Sequence, residues 1–191
     1  MQVKLKEELA RAILFGDGRS VTSDDKIQED HIRPILSDDA FYSVKHTLSK
    51  DTSLADGALI DIVAEAMLDY EGSGSPTFFA HKKVIFDMLH QRDNTREELA
   101  NALEVGSIVD VDPMKGLTRT LGPSEGGGTA NVLGIVVNMS DYNIGTNKGG
   151  EVNFFDDFDI DYNQMKYLYE TRLSGALVEP YSAVVIEQKT A

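Results

Sequence analysis

The stretch FFDDFDIDYNQMKYLYETRLSGAL, residues 154–177, combines aromatic side chains with a dense run of carboxylates. Its alternate aspartates, Asp157, Asp159 and Asp161, match the first three ligand positions of a calcium-binding loop. That loop requires glycine at its sixth position and glutamate at its twelfth, and this sequence has tyrosine and leucine there. The spacing therefore disfavours a calcium site and leaves adventitious cation binding as the weaker alternative.

A helix explains the same stretch better. Asp161 can cap a helix, Gln164 three residues later can serve as the partner of that cap, and Gly175 is suited to end the helix. The preceding carboxylates would lie near the positive N-terminus of this helix, which favours negative charge. The sequence thus predicts a last helix over residues 161–175.

Apolar runs on both sides of this stretch predict strands. Residues 133–138 and 182–186 are short apolar runs typical of buried strands, and 152–155 reads as a strand that leads into the acidic run. Glycine-rich loops at 122–128 and 145–150 lie between these elements.

The first of these loops has nearly the spacing of a phosphate-binding loop. Gly122 is followed by four residues and then by Gly127, Gly128 and Thr129. The motif needs lysine where Gly128 stands, because that lysine reaches the β- and γ-phosphates, and it needs a helix directly after the loop. The sequence therefore favours a flexible loop over a nucleotide site.

The first half of the chain shows helical spacing of its apolar residues. Gly16 is suited to a helix C-cap, and Ser53 is suited to an N-cap with Asp56 three residues on. Thr95 and Glu98 have the spacing of a capping box. Four helices are predicted, over residues 5–15, 53–70, 84–89 and 95–103.

Shorter signals between these helices predict further strands. They lie at residues 77–80, at 107–111 and, more weakly, at 117–121. Residues 19–50 form a polar stretch that is too long for a simple connection and is typical of an excursion or a functional loop. Because helices and strands are partly segregated along the chain, the sequence predicts an α+β fold.

Composition excludes several classes of protein. The chain has 191 residues, no cysteine and a formal net charge of −14. A chain of this length can bury a core without a metal or disulfide, and without cysteine it has no thiol nucleophile and no thiolate metal site. The acid excess argues against a free-standing nucleic-acid binder and against a polybasic membrane anchor. Residues 1–14 are regularly interrupted by charges, so we expect no signal peptide, and a soluble protein made in a cytosol.

The four histidines, His31, His46, His81 and His90, form no pair with the spacing of a metal-binding motif. His81 and His90 are nine residues apart, about 13 Å along a helix, which is too far to share a metal ion. No serine lies in a nucleophile elbow. The residues therefore predict no catalytic group, no metal and no cofactor.

Three ordered stretches resemble a known family. They are the helix and Gly-Asp-Gly turn of residues 4–18, the helix of 58–70 with the segment 76–89, and the block 133–186, which contains the acidic aromatic run and the sequence YETRLSGAL. In this order they resemble the major capsid protein of tailed bacteriophages with the Hong Kong 97 type of fold. The versions in phages and prophages of Gram-positive bacteria are particularly similar.

The resemblance implies a subunit with an elongated peripheral domain, crossed by a long spine helix, and an axial domain near the centre of each capsomer. It assigns residues 1–50 to the end of the spine helix and the excursion after it, on the peripheral side. Residues 51–138 would form the axial domain and 139–161 would return through the peripheral domain. A C-terminal helix and strand in 162–191 would complete the axial domain.

One departure from the family concerns its N-terminal segments. Family members carry an N-terminal arm, an extended hairpin loop and most of the spine helix before the position that corresponds to residue 1. We expect this chain to lack them, and they make many of the contacts between subunits. Some relatives cross-link a lysine of that hairpin to an asparagine of the peripheral domain. Asp159 stands at the asparagine position here, so this chemistry is not expected.

The function that the resemblance implies is structural. It predicts a virion protein, made in the bacterial host cytoplasm, that assembles with itself into pentamers and hexamers and contacts other head proteins, without sequence-specific nucleic-acid binding and without a membrane. Two alternatives are a small acidic hydrolase that depends on a metal or a nucleotide, and a non-viral acidic interaction module. The candidates for assembly contacts lie in the first glycine-rich loop and the acidic run: Gly126, Gly127, Gly128, Asp156, Asp157 and Phe158.

Overall fold

The computed structural model of the chain describes residues 2–16, 32–55, 57–92, 95–146, 153–170 and 173–190. The chain divides into two compact units. We call Leu36–Tyr142 with Leu177–Ala191 the sheet unit, and Met1–Ile35 with Asn143–Ala176 the hairpin unit. Each unit combines segments that are distant in sequence.

The structure contains both helices and strands, and the described α-helices all precede β3, which agrees with the partial segregation of the α+β prediction. Among the described residues the helices are α1 (Gln2–Phe15), α2 (Ala58–Ala66), α3 (Lys82–Arg92) and α4 (Arg96–Ala102). The strands are β1 (Ser43–Leu48), β2 (Thr77–Ala80), β3 (Ser107–Asp110), β4 (Thr118–Thr120), β5 (Thr129–Val137), β6 (Tyr142–Thr146), β7 (Asn153–Asp159), β8 (Gln164–Glu170), β9 (Leu173–Leu177) and β10 (Ala183–Lys189). Among these residues no helix is long and apolar enough to cross a membrane.

The sheet unit is built on one mixed sheet in the order β1-β10-β5-β2-β3. The two outer pairs, β1 with β10 and β2 with β3, are parallel, whereas β5 is antiparallel to β10 and to β2. The short strand β4 pairs with the first residues of β5, and β2 pairs with its last residues. The apolar runs predicted at 133–138 and 182–186 thus form the two central strands β5 and β10, which confirms them as buried.

Glycine has a packing role at the centre of this sheet. A Cβ atom at Gly134 would lie 2.2 Å from the ring of Phe78 on the adjacent strand β2. The Phe78 side chain, 1% exposed, therefore lies directly over the backbone of β5. A side chain at position 134 would displace the largest buried ring of the core.

Three helices of the sheet unit supply the apolar side chains of its core. Each buries one stripe: residues 59, 60, 63 and 66 of α2, residues 85 and 88 of α3, and Leu99 of α4 with Leu103 after it. Burial of one such large side chain contributes about 1.5–3 kcal/mol. The helical spacing predicted for these segments is therefore confirmed, and it is the spacing that creates the core.

The two predicted helix caps have different outcomes. The capping box of α4 is confirmed, since Thr95 Oγ1 accepts from the Glu98 backbone N–H at 3.2 Å and the Glu98 carboxylate accepts from the Thr95 N–H at 2.7 Å. The hydrogen bonds that the Glu98 carboxylate accepts from the Thr95 N–H and hydroxyl lower the pKa of Glu98. The predicted cap at Ser53 is wrong, because Ser53 Oγ accepts from the Ala55 N–H at 3.3 Å in a turn of its own and α2 begins after Gly57.

The strand β1 was not predicted. The polar stretch 19–50 contains β1, whose side chains Lys45, His46 and Thr47 obscure any strand pattern. The strand forms because it pairs in parallel with β10 and because its polar side chains have specific partners. The part of this stretch at 19–31 lies outside the described residues.

The hairpin unit contains α1 and two small sheets. As predicted, α1 ends at Gly16, which has φ 79° and donates its N–H to the Ala12 carbonyl at 3.2 Å. Asp17 and Gly18 lie outside the described residues. The strand β6 pairs with β9, and β7 pairs with β8. Residues 147–150 of the second predicted glycine-rich loop are also outside the described residues, and Gly145 belongs to β6.

The predicted helix over 161–175 is wrong. Residues 160–163 form a turn with Asn163 at φ 49°, β8 follows as an antiparallel partner of β7, and Gly175 lies within β9. Asp161 does not cap a helix; its N–H donates to Asp159 Oδ1 at 3.1 Å and tightens the turn. The C-terminal helix expected within 162–191 is therefore replaced by strands, since the aromatic residues of this segment suit a strand better than a helix.

Candidate functional site

The candidate contact residues lie in both units. Gly126, Gly127 and Gly128 belong to the loop between β4 and β5 in the sheet unit. Asp156, Asp157 and Phe158 lie on β7 in the hairpin unit. We describe residues 122–128 as the glycine loop and β7 with β8 as the hairpin.

The glycine loop is closed by its own backbone. A short 3-10 turn, Pro123–Glu125, is followed by three glycines with φ of 92°, 67° and 88°. The Gly127 N–H donates to the Gly122 carbonyl at 3.0 Å, and the Leu121 N–H donates to the Gly128 carbonyl at 2.9 Å. Because three successive residues are left-handed, only glycine fits this loop without strain.

Arg119, on β4, anchors the glycine loop to the sheet. Its guanidinium donates to both carboxylate oxygens of Glu125 in the loop, at 2.6 and 3.1 Å. It also donates to both oxygens of Glu187 on β10, at 2.6 and 2.9 Å. Glu187 is fully buried and accepts a further hydrogen bond from Thr47 Oγ1 at 2.7 Å. Arg119 therefore links β4, β10 and the loop, and Glu187 extends the network to Thr47 on β1.

Charge and burial shift the ionisation of this cluster. The hydrogen bonds from Arg119 and from the Gly122 N–H lower the pKa of Glu125 to about 2. The hydrogen bonds to Glu187 and Glu125 raise the pKa of Arg119. Burial, with the nearby charge of Arg119, lowers the pKa of Lys45 to about 8. The cluster thus keeps Arg119 and Glu125 charged across the whole physiological range.

A second basic residue completes the anchor. Lys189 Nζ, near the end of β10, donates to the backbone carbonyl of Glu125 at 2.8 Å. By contrast, no neighbouring atom of the described residues lies within 4 Å of the position that a Cβ atom would take at Gly127 or Gly128. The glycine loop therefore has a fixed base and an open tip.

This geometry also decides the phosphate-loop interpretation. The loop leads into strand β5 and not into a helix, and the carboxylate of Glu125 lies against its base. A phosphate-binding loop needs a helix after it and a lysine in it. The nucleotide interpretation of residues 122–129 is therefore wrong.

The hairpin presents large apolar side chains on one of its faces. Strand alternation and the pairing register place Phe154, Asp156 and Phe158 of β7 on the same face as Met165 and Tyr167 of β8. The four apolar members of this face are 46–50% exposed. The rings of Phe154 and Tyr167 stack with centroids 6.0 Å apart. We call these five residues the aromatic face; its single carboxylate, Asp156, lies opposite Tyr167.

The other face of the hairpin carries Phe155, which is 51% exposed, together with charged side chains. Asp157 lies opposite Lys166 in the register, and Lys166 forms an ion pair with Asp159. The aspartates that suggested a calcium loop therefore lie along a strand, and Asp161 lies in the turn after it. Within the described ranges no group of three histidines or carboxylates could hold a metal ion.

The histidines have separate local roles. His46 Nε2 lies 2.7 Å from Asp69 Oδ2, and His81 Nδ1 accepts from the Lys83 N–H at 3.2 Å at the start of α3. The ring of His90 packs on Phe86 with centroids 4.6 Å apart. His31 lies outside the described residues. The described histidines thus serve local hydrogen bonding and packing.

Sequence reasoning missed the Arg119 cluster. Its signal is Glu187, a carboxylate that follows the apolar run at 183–186 of a predicted buried strand. A buried carboxylate requires a partner of opposite charge. The sequence could therefore have indicated a buried ion pair, although not that Arg119 is the partner.

Comparison with known proteins gives a structural likeness only. No protein-family model matches the chain, and no curated protein matches it. A solved chain from Mycobacterium phage Ogopogo is similar with a TM-score of 0.58 at 14% identity, over 98% of this chain and 65% of that one. A phage-related protein from Bordetella bronchiseptica RB50 has a TM-score of 0.48 at 16% identity, over 83% of this chain and 60% of that one.

The chain thus has a fold that is also found in a mycobacteriophage protein. It spans 65% of the length of that neighbour. A phage-related fold agrees with the coarser part of the resemblance in the sequence.

Proposed function

We propose that this chain is a structural subunit of a bacteriophage head, which assembles with copies of itself and with other head proteins into the shell around the genome. The observation that carries the proposal is the similarity of fold to a phage protein along 98% of the chain, together with the ordered capsid-like stretches of its sequence. In this proposal the chain is not an enzyme and acts within the virion.

The hairpin supports a role in contacts between proteins. An isolated two-stranded hairpin is at best marginally stable in water. This hairpin also leaves four large apolar side chains of its aromatic face about half exposed, and exposed apolar patches mark interaction sites. A neighbouring subunit would supply the packing that these side chains lack.

The glycine loop supports the same proposal in the sheet unit. Its base is fixed by Arg119 and Lys189, so its position in the subunit is well defined. Its tip carries no side chains, which allows close approach of another backbone. A loop of this kind suits a crowded position between subunits of a ring, and Gly126, Gly127 and Gly128 are its proposed contact residues.

The net charge of −14 supports a role for this chain in the wall of a shell that contains DNA. Nucleic-acid affinity grows with the number of phosphates that lysine and arginine neutralise. An acidic shell protein therefore leaves packaged DNA free to move past it. This charge balance fits a container better than it fits a DNA reader.

Sedimentation velocity over a range of concentrations tests the proposal. We expect species of five or six copies, or larger shells, together with ring-shaped particles in electron micrographs. A chain that sediments as a monomer at every concentration would contradict the proposal.

A further inference from the structure

The aromatic face of the hairpin also indicates what covers it. We infer that it docks on the exposed stripe of α3 in a neighbouring copy of the chain, the stripe that contains Lys82, Phe86 and His90. This inference rests on the proposed function, because it specifies a contact of the proposed shell.

Charge excludes the simplest alternative, in which two hairpins cover each other. Asp156 lies in the middle of the aromatic face, between Phe154 and Phe158 and opposite Tyr167. Two such faces packed on each other would bury like charges together, which is costly. The covering surface must therefore differ from the aromatic face and carry positive charge.

The α3 stripe has the required chemistry. Lys82, Phe86 and His90 follow each other at intervals of four residues, so they share one side of the helix. Phe86 is 57% exposed, and its ring contacts that of His90. Lys83 is exposed beside Lys82, and the first turn of α3 contains no acidic residue. The stripe thus combines an exposed aromatic side chain with basic residues at one end.

The other exposed apolar side chains of the sheet unit fit less well. Each lies within two residues of a carboxylate in the sequence: Phe41, Leu68, Val109, Met139, Val178 and Tyr181. Phe86 also has an acidic neighbour, Asp87, but that residue lies about 100° away around the helix and is partly buried. Among these described side chains, Phe86 is distinguished by the exposed lysines Lys82 and Lys83 one helical turn before it, which suit an acidic partner.

The α3 stripe and the aromatic face also match in length and in the position of their charges. The stripe from Lys82 to His90 is about 12 Å long, and the strand from Phe154 to Phe158 is about 14 Å long. The carboxylates of the hairpin are concentrated towards its turn, at positions 156, 157, 159 and 161, as the lysines are at one end of α3. The ion pair of Lys82 with Asp112, 3.0 Å long, is exposed and contributes little, so Lys82 can exchange partners.

Such a contact is heterologous, because it joins two different patches of the same chain. A heterologous contact produces a closed ring when its rotation closes. It therefore provides the kind of interface that the proposed pentamers and hexamers need.

Single-cysteine variants test this contact directly, since the chain has no cysteine of its own. A Phe158→Cys variant is mixed with a Phe86→Cys variant under mild oxidation, and the mixed disulfide dimer is measured by mass spectrometry. The control pairs Phe158→Cys with Phe41→Cys, a phenylalanine of similar exposure in the sheet unit. We expect several times more mixed dimer with Phe86→Cys than with the control. A Met165→Cys variant repeats the test from the adjacent strand.

Charge reversal gives a second readout. When the Phe86→Cys copy also carries Lys82→Glu and Lys83→Glu, the yield of mixed disulfide dimer should fall to that of the control. When the Phe158→Cys copy then also carries Asp156→Lys and Asp157→Lys, the yield should be restored. A yield equal to the control for both hairpin cysteines, or a Phe158→Cys homodimer that forms as readily as the mixed one, overturns the inference. If wild-type rings sediment while the mixed yield stays at the control level, this contact is wrong and the proposed function stands. If mixed dimers form but the wild type never assembles beyond two copies, the contact between the aromatic face and α3 is supported and the proposed shell function is contradicted.

Discussion

The sheet unit and the hairpin unit bury their apolar residues to very different degrees. In the sheet unit the side chains of Phe78, Val63 and Met88 are at most 1% exposed and belong to one core formed by helices and strands. On the hairpin, Phe158 remains 49% exposed. The sheet unit therefore has a core of its own, whereas the aromatic side chains of the hairpin have only part of the cover that apolar groups need. Under the proposed function, this difference separates residues that stabilise the subunit from residues that would join it to others.

The comparison is tested most strongly by one substitution in each unit. Phe78→Ala removes the ring that packs over Gly134, and we expect it to lower the free energy of unfolding by about 3–5 kcal/mol. Phe158→Ala removes the same ring from the hairpin and should change it by less than about 0.5 kcal/mol. Denaturant unfolding of both variants measures this difference, and equal losses would remove the distinction between the units.

The buried anchor of the glycine loop should have the next largest effect. Glu187→Ala leaves the Arg119 guanidinium without its fully buried partner, and loss of one member of a buried pair costs about 3 kcal/mol or more. Glu179→Ala, at an exposed position before β10, is the control and should stay within about 0.5 kcal/mol of wild type. If urea unfolding showed the two variants to be equally stable, Arg119 would not anchor the loop through Glu187.

A cap substitution has a smaller, local effect in the sheet unit. Thr95→Ala removes the side-chain acceptor at the start of α4 and should cost about 1 kcal/mol. Thr95→Ser keeps that acceptor and should retain most of the stability. Thermal unfolding of the two variants separates the two causes, because Thr95→Ser loses only the methyl group whereas Thr95→Ala also loses the oxygen that accepts the hydrogen bond.

The acid dependence of stability should be the smallest effect. Folding lowers the pKa of Glu125 from its ordinary value of 4.5 to about 2, so its ionised form stabilises the fold above pH 4.5. This contribution is lost as the pH falls from 4.5 towards 2. A Glu125→Gln variant should therefore show a flatter decline in unfolding free energy over that interval than the wild type. Parallel curves for the two proteins would show that Glu125 is not held by Arg119.

The sequence predicted those parts of the fold that local signals determine. The box of Thr95 and Glu98 and the apolar runs of β5 and β10 needed no knowledge of the tertiary structure. The strand β1 was missed because His46 and Thr47 are accommodated by partners distant in sequence, Asp69 and Glu187. Such partners cannot be identified from the segment itself.

The wrongly predicted helix over 161–175 shows again that local signals alone do not determine the structure of a segment. Asp161, Gln164 and Gly175 satisfy the rules for a helix, yet the chain between them pairs with β7. Polar and apolar residues alternate only over residues 164–167 at the start of β8, a run too short to outweigh the helix signals. Asp156, Asp157 and Phe158 were chosen as candidates because their segment is acidic and aromatic, and the structure shows that they lie on the strand β7.

The most direct test of the account compares wild type with a Phe158→Ser/Met165→Ser variant, which removes a cross-strand apolar pair from the aromatic face. Sedimentation velocity and thermal unfolding are measured on the same samples. We predict that the wild type forms rings of five or six copies, and that the variant sediments as a monomer with the unfolding midpoint of its sheet unit unchanged. A wild type that remains monomeric, or a variant that assembles as well as the wild type, would contradict the account.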